Sequence, residues 1–200
     1  MRTLNKAVNQ GMPRYNIVGL DLSLTSPGLC CLQVGEGGTY FFTDFTTCKT
    51  TSDEPWHIRI KRIVDTILLF VAEHKPKRIM IENYSYGSKN GREVAGEVHG
   101  AVILSLIQLG FPPENIFRAV SPQSRAKFFT GNGRAVKGDV VRAFNAQFGF
   151  NFKVKDNDMV DAGILAFIDY CIVNYTHIEQ YLNKDQKEII KTVSNHKGGF

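Results

Sequence analysis

The chain has 200 residues, 43% hydrophobic and 22% charged, with a formal net charge of +5. This length and apolar content suit one domain with a sizeable core and exclude a disordered or fibrous chain. No apolar run approaches the roughly 20 residues of a membrane helix, and Met1–Lys6 lacks the apolar stretch of a secretory signal, so a cytoplasmic protein with no membrane partner is expected. Cys30, Cys31, Cys48 and Cys171 have no C-x-x-C spacing, which suits neither zinc nor a disulfide framework, and all four are expected to be reduced.

Residues 1–14 are polar, with Gly11 and Pro13 near their end, and read as a flexible arm whose Arg2, Lys6 and Arg14 can touch phosphate. Residues 15–200 read as a single domain. Ile17, Val18 and Leu20 form a short, β-branched-rich run closed by Ser23, Thr25, Ser26, Pro27 and Gly28, the pattern of a buried strand from Tyr15 to Asp21. Leu29–Val34 and Thr39–Phe45 read as two further strands joined by the loop Gly35-Glu36-Gly37-Gly38, giving an antiparallel meander. Ser52-Asp53-Glu54-Pro55 has the grammar of a helix start, and Ile60, Ile63, Val64, Ile67, Leu68 and Val71 follow at helical spacing.

Lys77–Glu82 is a fourth strand that, like the first, ends in a carboxylate. A helix-separated strand returning beside the first runs parallel to it, which sets Asp21 and Glu82 at one edge. Asn83–Arg92 reads as a loop in which Tyr84 and Tyr86 sit near Lys89 and Arg92, a combination suited to stacking on unpaired bases and touching phosphates. A helix follows from Glu93 to Leu109, with Gly96 and Gly100 small enough for close helix packing, and then a strand from Asn115 to Val120. Ser121-Pro122 caps the next helix, which carries Arg125 and Lys127 and stops at the turn Thr130–Arg134. Lys137 opens another helix with Val140, Val141, Phe144 and Phe148 inward. Asp158 and Asp161 share one face of the helix that begins near Asp156, and His177 onward reads as a polar, partly amphipathic helix with a frayed tail.

Charge is uneven. Between Arg118 and Lys155 there are eight Lys or Arg and one acid, Asp139. A basic block beside apolar-embedded carboxylates suits an enzyme acting on a polyanion. Taken singly, Asp21 also fits a turn cap, and Asp158 a favourable charge at a helix N-terminus. Taken together, a strand Asp, a strand Glu and a late D-x-x-D make an oxygen-ligand site for hard divalent cations. Two such ions roughly 3.5–4 Å apart activate water and stabilise both oxygens of an in-line phosphoryl displacement.

The Asp-bearing first strand, I-M-I-E, the T-G-N-G-x-x-x-K segment from Thr130 to Lys137 and D-x-x-D-A, in this order over Ile17 to Tyr170, resemble the RuvC Holliday junction resolvases. The form D-L-S-L-T-S-P-G looks more like the phage and viral members. The resemblance implies an α/β, ribonuclease H-like fold with a mixed five-stranded sheet flanked by helices. It implies a homodimer that nicks two symmetric strands of a four-way DNA junction with Mg²⁺ or Mn²⁺, two ions per site. Carried over by position, Asp21, Glu82, Asp158 and Asp161 match the metal-binding acids, Lys137 matches a catalytic basic residue, and Arg125 or Lys127 falls near a second one. Tyr84 or Tyr86 occupies the region of an aromatic wedge, and Lys89, Arg92, Arg125, Lys127, Arg134 and Lys137 are expected to contact DNA. The same acids would serve a broader ribonuclease H-like nuclease acting on forks, flaps or hybrids. A sugar-kinase-like ATPase shares an Asp-bearing first strand but needs a second lobe, and a non-enzymatic DNA-binding module would not need all four acids.

Overall fold

A computed structural model describes residues 15–83 and 92–195. The arm with Arg2, Lys6 and Arg14, the loop residues Tyr84, Tyr86 and Lys89, and the tail beyond Asn195 lie outside these residues. Five strands form one mixed sheet in the order β3-β2-β1-β4-β5, comprising β1 (Tyr15–Asp21), β2 (Gly28–Val34), β3 (Tyr40–Thr47), β4 (Arg78–Glu82) and β5 (Ile116–Val120). β1, β2 and β3 are the expected antiparallel meander, and β4 runs parallel to both β1 and β5. The helices are α1 (Trp56–His74), α2 (Arg92–Gln108), α3 (Pro122–Thr130), α4 (Lys137–Phe148), α5 (Asn157–Val173), α6 (Tyr175–Ile178) and α7 (Lys184–Asn195). No single helix among the described residues is long and apolar enough to cross a membrane.

Alternation along each strand separates two cores. Val18, Leu20, Ile79 and Ile81 pack with Ile63, Ile67 and Val71 of α1 and Val98 and Val102 of α2. Ile17 and Met80 face the other way, onto α5 and its neighbours α3, α4 and α7. Helix α5 is the centre of that layer and is buried without a break from Val160 to Cys171. Aromatic rings weld α4 to it: Phe148 lies 5.0 Å from Phe42 of β3 and 5.0 Å from Phe167 of α5, centroid to centroid. All four cysteines are buried and free.

One local expectation is corrected. Helix α1 begins at Trp56 with Pro55 at its N-cap and no side-chain cap, so Ser52 does not start it; Glu54 instead forms an ion pair with Arg62 of α1. Among the described residues, nothing lies within 4 Å of a Cβ built on Gly96 or Gly100.

Candidate metal centre at the sheet edge

β1 and β4 end together. Leu20 pairs with Ile81, and the next residue on each strand is a carboxylate. Counting by two from Ile17 and Met80, both Asp21 and Glu82 leave the sheet on the α5 side. Helix α5 brings Asp158 and Asp161 to the same rim, where ligand oxygens of Asp21, Asp158 and Asp161 all lie within 4.8 Å of one another. Asn157 donates a hydrogen bond from Nδ2 to Asp158 Oδ1.

Two glycines allow this approach. Gly28 pairs with Asp21 across the hairpin, and a Cβ there would stand 1.8 Å from the backbone oxygen of Asp158. A Cβ on Gly19 would stand 2.0 Å from the backbone oxygen of Ala162. Glycine inside a strand marks such an approach of another backbone, so the signal was present in the sequence, though the expectations above passed over it. The loop after Asp21 is braced from α1 and the segment before it: Arg59 Nε donates to Thr50 Oγ1 at 2.9 Å and Nη2 to Leu24 O at 3.2 Å, while Thr50 N donates to Thr25 O at 2.9 Å. Sequence alone gave Arg59 no role.

Arg125 completes the cluster. Ser121 caps α3, its Oγ accepting from Ser124 N at 3.1 Å, and one turn later Arg125 reaches between the acids. Its Nη1 lies 2.6 Å from Glu82 Oε1 and 3.6 Å from Asp21 Oδ1, and its Nη2 lies 2.9 Å from Asp161 Oδ2. Lys127, about 200° further round the helix, turns to α7 and pairs with Asp185 at 3.1 Å and Glu188 at 3.3 Å. Of the two basic candidates on α3, Arg125 is therefore the one that meets the acids. Lys137 opens α4 with an exposed side chain, and its charge acts on both Asp21 and Asp161. Arg134 is exposed in the turn, where its backbone N–H is held by Asn132 Oδ1 at 2.9 Å. Arg92 is the first residue of α2.

The electrostatics are those of a crowd of acids short of cations. Burial, then the charge of Asp21, pushes the Glu82 carboxyl up to about 9, although Arg125 pulls the other way. Burial raises Asp161 to about 7 against the pull of Arg125. Burial raises Asp21 too, offset in part by Arg125 and by a hydrogen bond with Glu82. Burial works against the charge of Arg125, yet Asp161, Glu82 and Asp21 together hold its pKa above the ordinary value. Three carboxylates around one buried cation, with Asp158 beside Asp21 and Asp161, fit a hard divalent ion in donor type and in charge.

Residues 17–171 match the family model described as crossover junction endodeoxyribonuclease RuvC. The RuvC endonuclease of Mycobacterium sp. strain KMS is 28% identical over 150 residues, covering 75% of this chain and 80% of that protein. That of Corynebacterium jeikeium strain K411 is 26% identical over 151 residues, covering 74% of this chain and 90% of the other. In fold, the chain is similar to T. thermophilus RuvC in complex with a Holliday junction substrate, with a TM-score of 0.65 at 20% identity over 82% of this chain and 96% of that one. It is also similar to the yeast mitochondrial Holliday junction resolvase Ydc2, with a TM-score of 0.53 at 14% identity over 90% and 87% of the two chains. The ribonuclease H-like architecture that the resemblance implied is thus the one observed, and the chain belongs to the RuvC family of crossover junction endodeoxyribonucleases.

Proposed function

We infer that this protein is a metal-dependent endonuclease that resolves four-way DNA junctions, acting from residues 15–200 as one ribonuclease H-like domain in the cytoplasm. The observation that carries the reading is the meeting of Asp21, Glu82, Asp158 and Asp161 at one rim, from two strand ends and a helix that are distant in sequence. Asp21, Glu82, Asp158 and Asp161 would hold the divalent ions, Mg²⁺ or Mn²⁺ and two per site, which supply an activated water and positive charge at the phosphate. Lys137 sets a further positive charge beside this cluster, suited to the scissile phosphate. Arg134, Lys137 and the Gly131 turn form a basic shoulder for the DNA backbone. Tyr84 or Tyr86 would stack on bases opened at the crossover, with Lys89 and Arg92 on phosphates.

Cutting two like strands calls for two like sites, which a C₂ homodimer supplies. Helix α2 supports this assembly. Gly96, Gly100, Leu104 and Ile107 fall at successive helical turns on one face; Leu104 is 57% and Ile107 37% exposed, and no described residue lies within 4 Å of a Cβ built on either glycine. That face offers a second copy a shallow apolar seat.

The test is a labelled synthetic four-way junction beside a fork and a linear duplex, each with and without Mg²⁺. Paired, symmetric, Mg²⁺-dependent nicks on the junction are expected. Equal cutting of all three substrates would replace the resolvase reading with that of a broader branched-DNA nuclease, and single unpaired nicks would remove the dimer.

A further inference from the structure

Arg125 stands where a metal ion has to stand. Its guanidinium lies within 4 Å of Glu82, Asp21 and Asp161, three of the four rim acids, and its side chain is only 13% exposed. A divalent cation gripping the same oxygens and a guanidinium pressed against them cannot coexist without close like-charge repulsion. Arginine cannot relieve that repulsion by losing its proton, so the side chain itself has to move.

The quality of its contacts points the same way. Nη1 is 2.6 Å from Glu82 Oε1, yet Nη1, Nε and Glu82 Oε1 are all buried with no directed hydrogen bond among the described residues. An arginine built to stay on a carboxylate presents its N–H groups in line, as a fork. Here three acids share one charge at 2.6, 2.9 and 3.6 Å, which is attraction without fixed geometry. Lys127, on the same helix, is tied to α7 and is not positioned to take over.

We propose that Arg125 is an internal counter-cation, which holds the rim carboxylates together before metal arrives and must leave them for divalent ions to bind. This rests on the reading of the rim as a metal site. Competition with Arg125 then sets the metal affinity of the DNA-free protein. Once out of the cluster, the guanidinium fork is free for a phosphate oxygen of the DNA backbone, so DNA and metal reinforce each other's binding.

The test is Mn²⁺ binding by calorimetry on DNA-free protein, comparing the wild type with Arg125→Gln and Asp158→Asn. Arg125→Gln is expected to bind Mn²⁺ at least about tenfold more tightly, within the usual range for two coupled ligands. In the unsubstituted protein, the Arg125 Nε–H resonance is expected to shift along the same isotherm as Mg²⁺ is added. That second measurement decides the matter if the variant fails to fold. Equal or weaker Mn²⁺ binding by folded Arg125→Gln, or an unmoved Arg125 resonance at Mg²⁺ saturation, overturns the proposal. Asp158→Asn separates the two ways of failing. If it leaves Mn²⁺ binding intact, the metal reading falls and this proposal with it. If it weakens binding while Arg125→Gln matches the wild type, the role of Arg125 falls alone.

Discussion

Helix α5 carries two buried aspartates, Asp161 and Asp169, eight residues apart, and each meets an arginine from another element. At Asp169 the match is one to one. Arg78 of β4 donates from Nε and Nη2 to the two carboxylate oxygens at 2.7 Å each, and its guanidinium lies 4.0 Å over the Phe117 ring of β5. Asp169 is fully buried, and burial pushes its pKa up while the hydrogen bonds and charge of Arg78 pull it down. At Asp161 one arginine is divided among several acids, and two of those acids have been driven to about 9 and about 7. Burial is common to both places. The ratio of acids to cations separates a contact that pins α5 to the sheet from one that leaves negative charge for a ligand to neutralise.

The largest effect is expected at the rim. Asp21→Asn should reduce cutting by on the order of a thousandfold or more while junction binding survives, because affinity for DNA comes mainly from phosphate contacts. Gel-shift and cleavage assays on one labelled junction would check it, and parallel loss of binding and cutting would remove Asp21 from the metal set. At the pin the effect should fall on stability instead. Arg78→Met leaves Asp169 buried and alone, at a cost of about 3–5 kcal/mol in urea unfolding, and adding Asp169→Leu should restore much of it. If the double variant is no more stable than the single one, the pair is not the self-contained unit described here.

The strand framework was legible because Ile17–Leu20 and Ile79–Ile81 are short apolar runs with carboxylates at their ends, and parallel pairing then forces those ends together. Asp161 and Asp169 were not separable in the same way. Both sit in apolar stretches of one helix, and what marked the first was a second acid, Asp158, on the same face one turn earlier. Sequence spacing does not say which aspartate has an arginine of its own, since Arg78 lies 91 residues from Asp169. Nor could it choose between Arg125 and Lys127, whose opposite directions depend on where α7 packs.

The glycines lie between these cases: visible as residues, mute about their partners. Gly28→Ala would press a methyl into the Asp158 backbone, so the start of α5 must move. A loss of at least about 1–3 kcal/mol is expected, with weakened metal binding, whereas Gly100→Ala, with no described residue within 4 Å of the added methyl, should leave the metal affinity unchanged. Equal metal affinity in both variants and the wild type would mean that the position of α5 does not tune the rim.

The effect most specific to a crowded rim is on how stability depends on pH. The Glu82 carboxyl has an ordinary value of 4.5 and is raised to about 9 in the folded protein. Between these limits the folded state keeps a proton that the unfolded state has lost, so raising the pH favours unfolding. Asp161, raised from 3.8 to about 7, acts in the same direction over its own narrower window. In chelator, the stability of the protein should therefore decline as pH rises from about 4.5 toward 9, and Glu82→Gln should remove the part of that slope above about pH 7. Asp169→Asn, which disturbs the pin rather than the rim, should lower stability at every pH and leave in place the decline that Glu82 sets. Thermal unfolding in chelator across that range reads all three proteins at once. A Glu82→Gln profile parallel to the wild type would mean that Glu82 is already ionised beside Asp21, and that Arg125 alone neutralises the rim.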